Sequence, residues 1–488
     1  MKIKKLAASI AIAGLALGAG VSAAPAATAA TPVTVTIWTF GDVIEPNLVR
    51  EYKLIHPEVT LALKKGDIDP QQNNMITACN ARSGPADVIA VEVSYSGWWR
   101  SYPNCFTDLR TMKTSSANAN ATKGTDKNGN TVDVNYVDAT GARVAVGTVP
   151  SGQSASTIKS NYLPWRWEQG VAYNDSVIGI PTDVGGLEVA YRSDLMVKAG
   201  LVTAAQVKNG TARDVLAKKW PTWDKFIATG KTYMSKLSAA DKKAGKGFLD
   251  SVGTIYAAIL NQGTEKYYRN NGTDQGLLIY DKNPEIKKAW DTTLKAQAAG
   301  IGTRIGQFSS DWNVGMNKGT FATMLAPAWM MDYIKQQAPD TKGKWDIADL
   351  PGGGGNQGGT QLTIPSYSKN KQAAWDFIAW YLAPEQQLQV FRTYGLFPST
   401  KVIYNDPSVA DFKDPFFNKA PVGKIYSEGI VKLKPIFEGK LNRGIDQAFG
   451  AGLGRVISGK KNDKTKKPWT SKDSWAMVMT EVKKLVTN

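Results

Sequence analysis

Apolar and polar positions alternate through VTVTIWTFG (Val33 to Gly41), and the β-branched residues in that run predict a strand. Asp42 to Pro46 turns the chain into a helix reaching about His56, and HPEVTLALKK returns as a second strand. A helix from about Gln71 to Ala81 follows, stopped by Ser83, Gly84 and Pro85. ADVIAVEVS is apolar enough to be a third strand buried on both faces. Strand, helix, strand, helix, strand in this order gives a parallel sheet with right-handed crossovers. It sets Phe40, Asp42, Glu92 and Ser94 at strand ends on one rim.

From Met316 to Pro398 the pattern predicts a strand with Trp329 just beyond it, a short helix and a second strand. A glycine tract (Gly352 to Gly359), a third strand and a long amphipathic helix complete the run. In an open α/β sheet, ligands sit beyond the carboxyl ends of strands, where Trp329 and the glycine tract fall. A Trp offers a flat apolar face, and glycines let backbone N–H groups approach a ligand closely. A core Trp and a flexible loop are the plain alternatives. Between these regions, Pro181 and the pair Gly185, Gly186 punctuate the strand GIPTDVGGLEVAYR in a way that suits a hinge. Trp165 and Trp167, just before it, either line a cleft or pack a lobe. Trp223 begins a helix from Thr222 to about Leu237 and reads as structural. Asn283 caps a helix over Pro284 to Ala299. Trp375 and Trp380 share a helix with Ala374 and Phe377 and read as core.

The GTFATM strand, the Trp, the Pro-Gly-rich crossover, the TIP strand, the AAWDFIAWYLAPEQQ helix and the GLFPS end together resemble the extracellular solute-binding proteins of carbohydrate ABC transporters, of the maltose-binding type. GIPTDVGGLEVAYRSDLMVKAGL, PTWDKFIATGK, VTIWTFGD and HPEVTL extend the resemblance over most of residues 33 to 450. It implies an α/β, two-lobed periplasmic-binding-protein-like fold with multiple interlobe crossovers. One lobe is then expected from 31–182 with 361–400, and the other from 186–357 with 405–488. The polar stretch 111–160 is expected as an insertion carrying a β-hairpin that turns at Asp138 to Gly141. The resemblance puts ligand contacts at Asp183, Gly185 and Gly186, and a second crossing at Gly358 to Thr360, with Gly358 and Gly359 beside the ligand. A third crossing follows residue 400. Asp42, Glu92 and Asp183 would accept hydrogen bonds from sugar hydroxyls, with Ser94 also at the ligand, while Phe40 and Trp329 stack on ring faces. The implied output is delivery of a sugar, read as an oligosaccharide, to a membrane permease by a monomeric receptor.

Composition narrows the picture. The chain has 488 residues, 42% hydrophobic and 21% charged, which suits two globular lobes. MKIKKL, the apolar AASIAIAGLALGAG and the Ala-rich APAATAA read as a cleavable export segment over residues 1–30. The first cysteine is Cys79, so no lipobox cysteine follows the apolar run. Cys79 and Cys105 are the only two, and in an oxidising compartment a bridge between them is expected. The formal charge of +17, or +14 without Lys2, Lys4 and Lys5, is scattered apart from one run at Lys460 to Lys467. No nucleic-acid motif accompanies it, and it reads as a solvated surface or as attraction to an anionic wall.

With one histidine, His56, a zinc site, a Ser-His-Asp triad and a Cys-His pair have too few parts. GGGGNQGG lacks the ending of a phosphate loop. No metal or cofactor is expected. Carboxylates serve a glycosidase as well as a receptor, so a secreted glycosidase or lyase, a polyamine receptor and a polymer-holding adhesin stay open as alternatives.

Overall fold

The computed structural model describes residues 31–488 except 116–122, 126–127, 129, 134, 138–142, 146–148, 274, 464 and 488. The expected export segment and the turn at Asp138 to Gly141 lie outside the described residues. Two sheets organise the chain. The first runs Val59–Lys65, Val33–Thr39, Val88–Glu92, Thr360–Thr363, Gly179–Pro181 in spatial order. Its first three strands are parallel, with Ile37 beside Leu63 and Val88, as the alternation of apolar positions predicts. Thr360–Thr363 then runs antiparallel between Val88–Glu92 and Gly179–Pro181. Val35, Ile37, Val88, Ala90, Ile180 and Leu362 form the core, covered by Trp375, Phe377 and Trp380 of the helix Lys371–Tyr381. The long helix expected there breaks in two: Pro384 lacks the N–H that would continue the ladder, and it opens a second helix, Pro384–Tyr394.

The second sheet runs Gly247–Leu249, Phe321–Pro327, Gly186–Arg192, Trp345–Ala348, with Gly355–Asn356 also paired to the central strand. All seven residues of Gly186–Arg192 are buried. Leu187, Val189 and Tyr191 enter one core, with the helices Pro284–Ala298, Asn442–Ile457 and Ser471–Thr487, while Ala190 enters another. This period-two split gives both faces of the strand a partner. Asn283 caps its helix as expected, accepting from Glu285 N at 3.0 Å. Trp223 is structural, its indole donating to Gln262 at 3.1 Å. In the 111–160 stretch Asn135–Val137 pairs with Arg143–Ala145, whereas Thr131–Asp133 pairs back to Lys123–Thr125.

Three segments cross between the sheets side by side. Thr182 N donates to Thr360 O at 2.9 Å, Gln357 N to Gly185 O at 2.7 Å, and Val184 N to Phe397 O at 2.8 Å. Backbone bonding between crossings lets the lobes turn about one axis while their own sheets stay intact. Beneath them lies Arg166, with no exposed surface. Its guanidinium donates to Asp183 O at 3.0 Å, Thr360 O at 2.7 Å and Gln169 Oε1 at 2.7 Å.

Cys79 and Cys105 are joined, with Cα atoms 5.2 Å apart. The bridge fastens the helix Ile68–Ala81 to the short turn Pro103–Cys105. Closing a loop of this size stabilises by roughly 3 to 4 kcal/mol through the unfolded chain. Reduction is therefore expected to lower the unfolding free energy by that amount, read as a lower urea midpoint; an unchanged midpoint after complete reduction would show the bridge to be energetically idle.

Candidate functional site

Between the two sheets lies a cavity of about 1280 Å³, walled by both lobes and floored by the crossings. Of the residues singled out in the sequence, Phe40, Asp42, Glu92, Ser94, Asp183, Trp329, Gly358 and Gly359 line it. Strand ends bring them there: Glu92 closes Val88–Glu92, and Trp329 follows Phe321–Pro327.

Gly185 and Gly186 do not line the cavity and are corrected to hinge packing. A Cβ on Gly185 would stand 1.8 Å from Gln357 O, and one on Gly186 would stand 2.6 Å from Ile430. Gly185 is glycine because two crossings press together there, and Gly186 lies under the side chain of Ile430. Gly352 to Gly355 also lie off the wall. Gly358 and Gly359 reach it with φ of +80° and +118°, values that L side chains seldom adopt.

Trp329 is half-buried and held in place: its indole N–H donates to Gln357 O at 3.1 Å. Phe308, which the sequence pattern did not mark, lies near-parallel to it with ring centroids 6.4 Å apart. Phe308 is 52% exposed and has φ of +64°. An aromatic side chain left open to a cavity on left-handed backbone is an unusual conformation for a residue that serves packing alone. Phe40, by contrast, is only 8% exposed and belongs to the first lobe's core, so its stacking surface is small.

The polar groups differ in availability. Asp42 pairs with Lys65 at 3.0 Å on an open surface. Asp183 Oδ1 accepts from Thr182 Oγ1 at 2.6 Å and Thr360 N at 2.8 Å, which fixes the floor. Glu92 accepts from the backbone N of Ser94 at 2.8 Å and from its hydroxyl. Burial raises the Glu92 carboxyl above its ordinary range in spite of those bonds. Asp332, beside Trp329, is pushed up to about 6, chiefly by burial. At the other end Lys266 pairs with Asp446 at 2.7 Å, and Arg443 pairs with Asp69 at 2.9 Å, joining the lobes. Glu438 stands among them, pushed up to about 8 by burial first and by Asp446 and Glu92 next. Asp332, Glu438 and the ion pairs come from helices and loops whose local sequence carries no mark of a site.

Trp167 is core, while Trp165 reaches the cavity and donates to Ile430 O at 3.3 Å. Trp98 and Trp99 pack on each other and on Tyr102 away from it. His56 is buried against Glu58 and takes no part. Among the described residues no cluster of His, Cys, Asp and Glu is suited to a metal ion, and no helix is long and apolar enough to cross a membrane.

Two α/β lobes joined by three crossings, with an aromatic and carboxyl-bearing cavity between them, define a two-lobed solute receptor. The family model for bacterial extracellular solute-binding proteins matches residues 47–417, and the chain belongs to that family. A solved structure described as an extracellular solute-binding protein family 1 member is 30% identical, with a TM-score of 0.71, over 93% of this chain and 99% of that one. An arabinooligosaccharide-binding protein of Bacillus subtilis (strain 168) is 26% identical over 226 residues, 44% of this chain and 46% of the relative. The chain thus matches about half the length of that relative. The ABC transporter associated binding protein from B. animalis subsp. lactis Bl-04, solved with β-1,6-galactobiose, shares the fold at 18% identity with a TM-score of 0.67 over 93% of this chain and 97% of that one.

Proposed function

We propose that this protein captures an oligosaccharide between its lobes and delivers it intact to the membrane permease of an ABC importer. The observation that carries the reading is the Trp329 and Phe308 surface, set across from hydroxyl acceptors inside one interlobe cavity. A sugar offers the matching chemistry: C–H faces for aromatic rings and a rim of hydroxyls for carboxylates. At about 1280 Å³ the cavity exceeds the ~300–1000 Å³ that holds most drug-sized ligands, which favours more than one ring. Relatives named for arabinooligosaccharides and galactobiose support the same substrate class. Contacts to both lobes stabilise the closed arrangement over the open one, and that difference in affinity is the signal a permease reads.

The test is tryptophan fluorescence of residues 31–488, titrated with arabinan, galactan and glucan di- and trisaccharides, followed by recovery of the sugar. Saturable quenching with intact sugar is expected. Cleaved sugar would place the protein among glycosidases, and a response only to polyamines would replace the substrate class.

A further inference from the structure

Glu438 is the carboxyl for which neither the fold nor the hinge has a use. It lies in the segment Leu433 to Leu441, wedged between the lobes. Phe437 packs against Tyr268 of one lobe and Tyr173 of the other, with the Arg100 guanidinium over both Tyr173 and Phe437. The backbone on either side is pinned as tightly. A Cβ on Gly97 would stand 2.4 Å from Glu438 O, and one on Gly439 would stand 2.4 Å from Tyr268. A carboxyl held this firmly at a cavity wall is positioned by the fold, yet its Oε2 is buried and has no hydrogen-bond partner. An unpaired buried oxygen is costly, and none of the protein's own groups pairs with this one.

The charged groups around it come from every neighbouring element. Glu92 ends a strand of the opposite lobe, Arg100 belongs to the helix Ser96–Arg100, Lys266 precedes the strand Tyr268–Arg269, and Asp446 lies on Asn442–Ile457. Lys266 is committed to Asp446, and Arg100 donates to Val171 O at 2.7 Å. Lys266 and Arg100 favour a charged Glu438, as does the buried Arg166, but each is held by another acceptor, and burial first, then Asp446 and Glu92, outweigh them.

We propose that Glu438 is a specificity-determining residue of the cleft, a carboxyl that completes its hydrogen bonding on a hydroxyl of a neutral sugar and makes capture depend on a proton it carries. The proposal rests on the sugar reading above. Donation of that proton to a hydroxyl oxygen of the sugar favours the protonated form further. The bound state therefore holds the proton to higher pH than the free state. Affinity is then full below the free-state value of about 8 and falls by up to tenfold per pH unit above it. A ligand bearing an ammonium group would give the opposite slope.

Sugar affinity is to be measured from pH 6 to 9.5 for the wild type, E438Q and E92Q. The wild type is expected to weaken above about pH 8, and E438Q, which cannot ionise, to flatten the profile. A flat wild-type profile, a fall that E438Q retains, a fall abolished by E92Q alone, or an affinity that rises with pH would overturn the assignment. A second readout needs no ligand. A folded-state value raised from 4.5 to about 8 means that stability present below 4.5 is lost as pH climbs to 8. The melting temperature of E438Q should therefore gain on that of the wild type across this window and no further. A constant difference would overturn the assignment without touching the sugar reading. Absence of binding by the wild type to every sugar at pH 6, with that stability gain present, would instead sink the sugar reading and the specificity role with it.

Discussion

Trp329→Ala is expected to weaken oligosaccharide binding by roughly 30- to 1000-fold while leaving the fold's stability almost unchanged. Interface anchors of this kind are worth about 2 to 4 kcal/mol, because a large flat face is dried by the ligand and no other group replaces it. The indole is half-buried and stands at the first turn of the helix Met330–Gln337, outside the fully buried core, so its removal opens no sealed hole. Its N–H bond to Gln357 O ties it to the second crossing. Loss of the ring therefore removes a ligand face and a link between ligand and hinge together. Isothermal titration on the best sugar of the panel measures the affinity, and urea unfolding checks the fold. An affinity within threefold of the wild type would remove Trp329 from the site. Phe308→Ala should cost less, since a phenyl ring offers a ligand a smaller flat face than an indole.

The sheets and the rim were legible in the sequence because they rest on short-range regularities. Alternation marks Val33–Thr39, a continuous apolar run marks Val88–Glu92, and a strand's end is where its side chains leave the core. That alone placed Glu92 and Ser94 on one rim and Trp329 at another strand end; the family resemblance is what implied one cleft between them. Phe308, Asp332 and Glu438 could not be placed, because each is brought in by the packing of a loop or helix from far along the chain. Phe308 precedes the cap Ser309 of the helix Ser310–Lys318, where an apolar residue ordinarily packs inward against its own helix. Here it does so, with its ring centroid 5.1 Å from that of Trp312, and only the exposure that remains after packing marks it. The glycines show a different ambiguity. Gly185 and Gly186 looked like ligand-facing positions, but a missing Cβ serves a tight backbone crossing equally well, and sequence cannot separate the two.

Arg166 was missed for a different reason: an arginine between two tryptophans carries no periodic signal, and a buried cation runs against expectation. Its replacement is expected to have the largest effect on stability of any single change at the hinge. Arg166→Met keeps the length and apolar stem of the side chain, yet it strips the donors from Asp183 O, Thr360 O and Gln169 Oε1, all in buried surroundings. Thr360 O keeps the Thr182 N–H, so two acceptors are orphaned at about 1 to 3 kcal/mol each, and a loss of roughly 2 to 6 kcal/mol is expected in urea unfolding. Burial lowers the guanidinium's own tendency to hold charge, while Asp183, Glu92 and Glu438 oppose that shift. The penalty therefore falls on the crossings first: Asp183 and Thr360 belong to two different ones, and Gly359, whose Cβ would approach the guanidinium to 2.8 Å, shows how closely the second is drawn down. If the guanidinium is what holds the crossings in register, Arg166→Met should also weaken sugar binding, although its contacts in the fold are to the crossings and to Gln169. Unchanged unfolding with unchanged affinity would show that the crossings hold one another through their backbones alone.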